Sequence, residues 1–141
     1  MTIRVAVTNQ KGGVGKTTTA VNLAASLTKA NRNVLLIDID PQGNASSAAG
    51  IKKNSESSLY EFFNSEEKIE SFIIEASGGY DIIPANNNLV AAEKIIEKTE
   101  NREKYFSAHL KKLPKKYDYI LIDCPPSLNL LTINSMEFCR N

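Results

Sequence analysis

Apolar residues along the chain occur in two alternating patterns. Short, mostly apolar runs predict buried strands, and they lie at residues 3–8, 33–37, 80–84 and 119–123. Between the first two runs, apolar residues recur every three or four positions, as at Ala20, Leu23, Ala24 and Leu27. This spacing places them on one face of a helix over residues 17–30.

The same helical spacing returns later in the chain. It predicts helices at residues 58–63, 66–76, 102–113 and 128–138. Another helix begins after Asn87 or Asn88, whose side chain can cap its first turn. Residues 42–57 are rich in Gly, Asn, Ser and Lys and therefore predict a loop.

Strands that alternate with helices predict an α/β fold in three layers, with a mostly parallel sheet and helices on both faces. Right-handed connections then bring the carboxyl ends of all strands to one edge of the sheet. The residues with distinctive chemistry all follow strands, at 11–18, 38–44, 84–86 and 123–127. Ligands bind at this edge in such folds, so the sequence predicts a site there.

Composition narrows the class of protein without naming a function. The chain has 141 residues and a net charge of +1, with 42% hydrophobic residues, which excludes a fully disordered chain. No apolar run approaches the roughly 20 residues of a membrane span, and the first residues are not a signal peptide. Two cysteines, Cys124 and Cys139, form no disulfide framework, so we expect a cytoplasmic protein.

The strongest chemical signal is a glycine-rich segment between the first strand and the first helix. Its residues are Lys11, Gly12, Gly13, Val14, Gly15, Lys16, Thr17 and Thr18. Glycines let backbone N–H groups approach a phosphate chain closely, and the helix start adds unpaired N–H groups. Lys16 can then reach the β- and γ-phosphates, and the Thr17 hydroxyl can bind Mg²⁺. A glycine-rich turn that binds nothing is the alternative.

Carboxylates follow two other strands. Asp38 and Asp40 come after the second strand, and Asp123 ends the fourth. Near a triphosphate, such groups can hold Mg²⁺ or its water ligands, or orient an attacking water. Taken alone, both segments also fit polar strand ends followed by proline turns. The glycine-rich segment upstream favours the phosphate site.

These motifs resemble those of the ParA/MinD family of ATPases. The segment Lys11-Gly12-Gly13-Val14-Gly15-Lys16-Thr17 resembles that family's deviant Walker A motif, although Gln10 stands where the usual P-loop has glycine. The string Asp40-Pro41-Gln42-Gly43-Asn44-Ala45-Ser46 is similar to partition ParA proteins of the Soj type. Asp123-Cys124-Pro125-Pro126 resembles the family's switch II.

The resemblance implies a three-layer P-loop NTPase fold and an ATPase that uses ATP and Mg²⁺. It implies catalytic roles for Lys11, Lys16 and Asp40, and nucleotide binding by residues 11–18. Lys11 would reach across a dimer interface to the partner's nucleotide, and Asp40 would position the hydrolytic water. The residues that would bind the metal or its water ligands are Thr17, Asp38 and Asp123.

The resemblance also implies a cellular role. We expect an ATP-dependent homodimer that binds DNA non-specifically, associates with the nucleoid and positions plasmid or chromosomal DNA. A ParB-type centromere-binding protein would stimulate hydrolysis. Two alternatives stay open: a nucleotide-binding fragment or interaction module that lacks turnover, and a MinD-like ATPase that positions another cargo. The sequence does not name the cargo.

The resemblance runs from about residue 3 to about residue 136 but covers only the front half of the family's domain. We therefore expect residues 1–141 to form the N-terminal part of a single, truncated ParA-type domain. Residues that contact adenine and DNA would lie beyond it. A half-sheet leaves an open edge strand, so we expect weak stability or dependence on dimer contacts.

Overall fold

The computed structural model describes residues 1–8, 14–52 and 55–140, apart from the side chains of residues 14–17. Its strands are β1 (Ile3–Val7), β2 (Val34–Asp38), β3 (Ile74–Glu75), β4 (Asp81–Ile83) and β5 (Tyr119–Asp123). Its α-helices are α1 (Val14–Lys29), α2 (Asn44–Ala48), α3 (Leu59–Phe63), α4 (Leu89–Glu97), α5 (Tyr105–Leu110) and α6 (Leu130–Arg140). Two 3₁₀ helices span Ile69–Phe72 and Arg102–Lys104.

The five strands form one sheet in the order β1-β5-β2-β4-β3. β1, β5, β2 and β4 are parallel, and β3 is antiparallel to β4. The predicted parallel sheet is therefore confirmed, with a two-residue antiparallel strand added at one edge. The four parallel strands are the four that the apolar runs predict.

Both faces of the sheet are covered, which confirms the predicted three layers. On one face Leu35 and Ile37 of β2 pack in a core with residues of α4, α5 and α6. On the other face Leu36 packs in a second core with Ala20 and Ala24 of α1. Successive side chains of a strand point to opposite faces, so a strand buried on both faces reads as a continuous apolar run.

The α-helix predicted over residues 66–76 is wrong, because residues 66–68 and 73–76 are not helical. A 3₁₀ helix covers Ile69–Phe72, and the chain then extends into β3. The turn that follows lets Ala76 N–H donate to the Tyr80 carbonyl at 2.8 Å, and Gly79 adopts a φ of +89°. Buried Ile69 and Phe72 are three positions apart, which suits one 3₁₀ turn as well as an α-helix.

Three other predictions of element boundaries differ from the structure. The loop predicted over residues 42–57 contains the short helix α2. The helix predicted over residues 102–113 is divided into a 3₁₀ helix and α5, and the chain enters it through Asn101 at a φ of +52°. Conversely, α1 begins at Val14, three residues before the predicted start at residue 17.

Strand β1 forms one edge of the sheet. In the described part of the chain it pairs with β5 alone, and Ile3 and Val5 on one of its faces are 49% and 36% exposed. Its other face is covered by α6, where the Arg4 guanidinium donates to the Phe138 carbonyl at 2.9 Å and lies 4.2 Å from that ring's centroid. β1 therefore has an open hydrogen-bonding edge beside partly exposed apolar side chains.

No helix in the described residues is long and apolar enough to span a bilayer.

Candidate functional site

The carboxyl ends of β1, β5 and β2 bring the predicted acidic residues together. Asp123 lies in register between Val7 on one side and Asp38 on the other. Neighbouring strands are about 4.8 Å apart, so the two carboxylates belong to one site. Both acids are fully buried. The predicted meeting of these strand ends is confirmed by the sheet order.

Helix α1 begins at the same edge, because the chain enters it after leaving the carboxyl end of β1. Its first N–H groups have no helical partner, and no acidic residue stands in its first turn. The positive end of its dipole therefore suits an anion. Lys11, Gly12 and Gly13 lie outside the described residues, as do the side chains of Val14, Gly15, Lys16 and Thr17. The Thr18 side chain is exposed.

Asp38 is held by three donors from its own chain. Its Oδ1 accepts the Asp40 N–H at 3.0 Å, while its Oδ2 accepts the Ser46 N–H at 2.9 Å and the Ser46 hydroxyl at 2.7 Å. The pKa of the Asp38 carboxyl is raised to about 7, mainly by burial. The nearby charge of Asp123 contributes to this rise, and the hydrogen bonds from Ser46 and the Asp40 N–H oppose it. A cation at this edge would favour the ionised form.

Asp40 stabilises the turn that follows it through its own side chain and carbonyl. Its Oδ1 accepts the Gln42 N–H at 3.0 Å, and its carbonyl accepts the Gly43 N–H at 2.8 Å. Gly43 has a φ of +66° and leads directly into α2. The side chain of Asp40 is therefore fixed close to the end of β2.

Ser46 is a polar residue of this site that sequence reasoning missed. Its hydroxyl donates to Asp38 and accepts the Ala85 N–H at 2.9 Å, which joins the ends of β2 and β4 through α2. The sequence pattern predicts a loop over residues 42–57, so it gives Ser46 no structural role. The available signal was a serine inside the same string that carries Asp40.

The segment after β5 is anchored at both ends. The Cys124 N–H donates to the Val7 carbonyl at 3.1 Å, which extends the β1–β5 pairing beyond Asp123. Further along, Asn129 caps α6 by accepting the Thr132 N–H at 3.1 Å, and the Thr132 hydroxyl donates to the Ser127 carbonyl at 2.8 Å. The proline pair at 125–126 therefore spans a short connection between two fixed points.

The donor set at this edge fits Mg²⁺ better than a transition metal. Within the described ranges, no three His, Cys, Asp or Glu side chains cluster as a metal cage. Mg²⁺ typically binds one or two carboxylates together with phosphate oxygens and waters, and it retains several of those waters. Two carboxylates beside a helix start that suits phosphate match that pattern.

Comparison with known proteins agrees with this geometry. A model of the AAA domain family matches residues 2–139, nearly the whole chain. The chain belongs to this family. It is 48% identical over 135 residues to the sporulation initiation inhibitor protein Soj of Bacillus subtilis, a match that covers 94% of this chain and 53% of that protein. It is also 42% identical over 135 residues to the chromosome-partitioning ATPase Soj of Thermus thermophilus, a match that covers 94% of this chain and 50% of that protein. This similarity confirms the predicted resemblance to ParA/Soj-type partition ATPases.

Solved structures of the family share the fold. The chain superposes on a plasmid partition protein from Borrelia burgdorferi with a TM-score of 0.82 at 31% identity, covering 97% of this chain and 61% of that one. It superposes on cobyrinic acid a,c-diamide synthase from Mycobacterium smegmatis, solved with an ATP analogue and magnesium, with a TM-score of 0.91 at 37% identity. That match covers 98% of this chain and 57% of the synthase.

The chain spans about half the length of the curated relatives that it matches. Activities, substrates and partners of the whole relatives are therefore proposals for this chain.

Proposed function

We propose that this protein is an Mg²⁺- and ATP-dependent ATPase of the ParA/Soj type that acts in plasmid or chromosome partition. The observation that carries the proposal is the convergence at one sheet edge of the start of α1 with the buried, register-paired carboxylates Asp38 and Asp123. The N-terminus of a helix can bind a phosphate chain through its free N–H groups. The two carboxylates can bind the Mg²⁺ ion that accompanies that phosphate chain. The similarity to the chromosome-partitioning ATPase Soj of Thermus thermophilus supports the partition role.

Each residue of the proposed site has a chemical task. Backbone N–H groups of residues 12–18 would bind the phosphates, and Lys16 and Lys11 would neutralise the charge that develops during phosphoryl transfer. Asp40 would orient the attacking water, while Thr17, Asp38 and Asp123 would hold the metal or its water ligands. Mg²⁺, when bound, supplies further positive charge at the phosphate oxygens.

The proposed cycle depends on dimerisation. ATP would join two copies through Lys11, the dimer would bind DNA non-specifically on the nucleoid, and hydrolysis would release it. A ParB-type protein would stimulate turnover. The proposed site is completed only in the dimer, so we expect slow basal hydrolysis.

A nucleotide-binding module without turnover is the second candidate. The observation that favours it is the match to about half of each relative's length, because groups in the remaining half can be required for hydrolysis. ATP binding without phosphate release, in the presence of DNA and a ParB-type partner, would support this candidate over the first.

Sizing two variants with and without ATP tests the proposal. Lys16→Ala should remain monomeric with ATP, because the variant lacks the lysine that would bind the phosphates. Asp40→Ala should accumulate as an ATP-bound dimer, because its water is not oriented. The matched control is Lys29→Ala, at the exposed opposite end of α1, and it should behave as wild type. Dimers of Lys16→Ala, or an Asp40→Ala variant that never dimerises, would contradict the proposed cycle.

A further inference from the structure

Ser46 occupies a bridging position that the proposed chemistry does not itself require. It lies on α2, is 4% exposed, and directs its hydroxyl toward the ends of two strands. A hydroxyl has one donor and two acceptor sites. The Ser46 hydroxyl donates a hydrogen bond to Asp38 Oδ2 at 2.7 Å and accepts one from the Ala85 N–H at 2.9 Å.

The bridge fixes the orientation of one carboxylate. Ser46 binds Asp38 Oδ2 twice, through its N–H and its hydroxyl. With Oδ2 held in this way, Oδ1 is turned toward the Asp40 N–H, which it accepts at 3.0 Å. The orientation of the Asp38 carboxylate therefore determines a hydrogen bond to the backbone of the residue proposed to orient water.

The bridge also sets where α2 lies. Gly43 and the Asp40 turn precede this short helix, and the Ala85 N–H at the end of β4 holds the Ser46 oxygen from the other side. Without the hydroxyl, the Ala85 N–H loses its acceptor in a buried place, and one of the two donors on Asp38 Oδ2 is lost. Lost hydrogen bonds of this kind loosen the groups that they orient.

We propose that Ser46 is a positioning residue of the ATPase site: its hydroxyl fixes the Asp38 carboxylate, and through it the backbone of Asp40, in the arrangement that turnover requires. This role rests on the proposed function. Under this role, loss of the hydroxyl slows the chemical step and leaves nucleotide binding unchanged. A purely structural role would not separate these two effects. Ser46 hydrogen-bonds to Asp38 and to the Ala85 N–H, whereas triphosphate binding is assigned to residues 11–18.

The test uses Ser46→Ala, with Ser46→Thr as the variant that retains the hydroxyl. Ser47→Ala is the matched control, because Ser47 is exposed and lies next along the same helix. Steady-state hydrolysis with Mg²⁺ and ATP should show kcat lowered by about tenfold or more in Ser46→Ala, the range typical of lost support around a metal site. The KM for ATP should stay within about twofold, and Ser46→Thr should recover most of kcat.

A second measurement does not depend on turnover. In hydrogen–deuterium exchange without nucleotide, the Ala85 and Asp40 amides should exchange faster in Ser46→Ala than in wild type, and Ser47→Ala should leave both unchanged. Ser46→Cys, of similar shape but with a weaker donor, provides a further variant should Ser46→Ala fold poorly. It should fall between wild type and alanine in both measurements.

The outcomes separate the two claims. A wild-type protein that does not hydrolyse ATP contradicts the proposed function. Wild-type turnover that Ser46→Ala leaves intact contradicts only the positioning role. Equal losses of kcat in Ser46→Ala and Ser46→Thr, or a rise in KM with unchanged kcat, also overturn that role, because neither follows from losing the hydroxyl bridge.

Discussion

At Asp38, burial and hydrogen bonding act on the pKa in opposite directions, and burial dominates. The pKa of its carboxyl is about 7 in the folded chain against an ordinary value of 3.8. Between these values the folded chain retains a proton that the unfolded chain releases. The contribution of Asp38 to the free energy of unfolding is therefore fully present at low pH. It is lost as the pH rises from the ordinary value of 3.8 through the folded pKa of about 7.

Replacing Asp38 with asparagine should remove this pH dependence. Between about pH 4 and pH 7, the free energy of unfolding of the wild type should fall relative to that of Asp38→Asn, with a slope of up to about 1.4 kcal/mol per pH unit. Urea denaturation at a series of pH values, without nucleotide or Mg²⁺, measures the difference. Parallel stability curves for the two proteins would show that Asp38 does not retain the proton.

The sequence alone predicts that Asp38 and Asp123 lie at the same edge of the sheet. It does not predict how their carboxylates are oriented. Parallel strands that end in Asp38 and Asp123 share an edge in any order of the sheet, so pattern alone indicates that edge. Their register pairing requires β5 to lie beside β2, which only the structure shows. The role of Ser46 depends on a contact with Ala85, 39 positions away, which no local pattern encodes.

At the scale of elements, the connection from β2 to α2 depends on one backbone conformation. Gly43 stands at the start of α2 with a φ of +66°, in the left-handed region that disfavours side chains. A Cβ at this position would lie 3.5 Å from the Ala85 carbonyl oxygen, an ordinary contact. A side chain here is therefore opposed by backbone strain and not by lack of space.

Gly43→Ala should lower the free energy of unfolding by about 1 kcal/mol, the cost of holding alanine in the left-handed region. Gly43→Asn should lose less, because asparagine tolerates this conformation better. Chemical denaturation of the three proteins under the same conditions gives the comparison. Equal stability of wild type and Gly43→Ala would contradict the strained turn.

The elements missed by sequence reasoning are short ones whose form depends on tertiary contacts. The spacing of Ile69 and Phe72 is the same in a 3₁₀ helix and an α-helix, so periodicity could not exclude a longer helix. β3 has two residues, too few for any pattern, and it exists because the turn at Gly79 folds it onto β4. Long, strongly periodic segments such as α1 were predicted because burial of one face determines them.

At the scale of the whole molecule, β1 is an edge strand of the sheet that the described residues form. Ile3 and Val5 remain partly exposed beside an unpaired row of backbone groups. Association between copies would cover such an edge and stabilise the chain. We therefore expect a melting temperature that rises with protein concentration.

Substitution on the edge separates this effect from general stability. Ile3→Lys should reduce the concentration dependence of the melting temperature, whereas Val90→Lys, at a 58% exposed apolar position on α4, should leave it unchanged. Calorimetric melts over a wide concentration range measure both. A single cooperative melt that is independent of concentration in the wild type would contradict this expectation.

The central claim is that the segment between β1 and α1 binds the triphosphate of ATP, and isothermal titration calorimetry tests this claim most directly. With Mg²⁺ present, ATP should bind the wild type and Lys29→Ala alike. It should bind Lys16→Ala at least about tenfold more weakly, because a charge-assisted contact to phosphate is lost. No heat of ATP binding to the wild type, or equal affinity in Lys16→Ala, would contradict the claim.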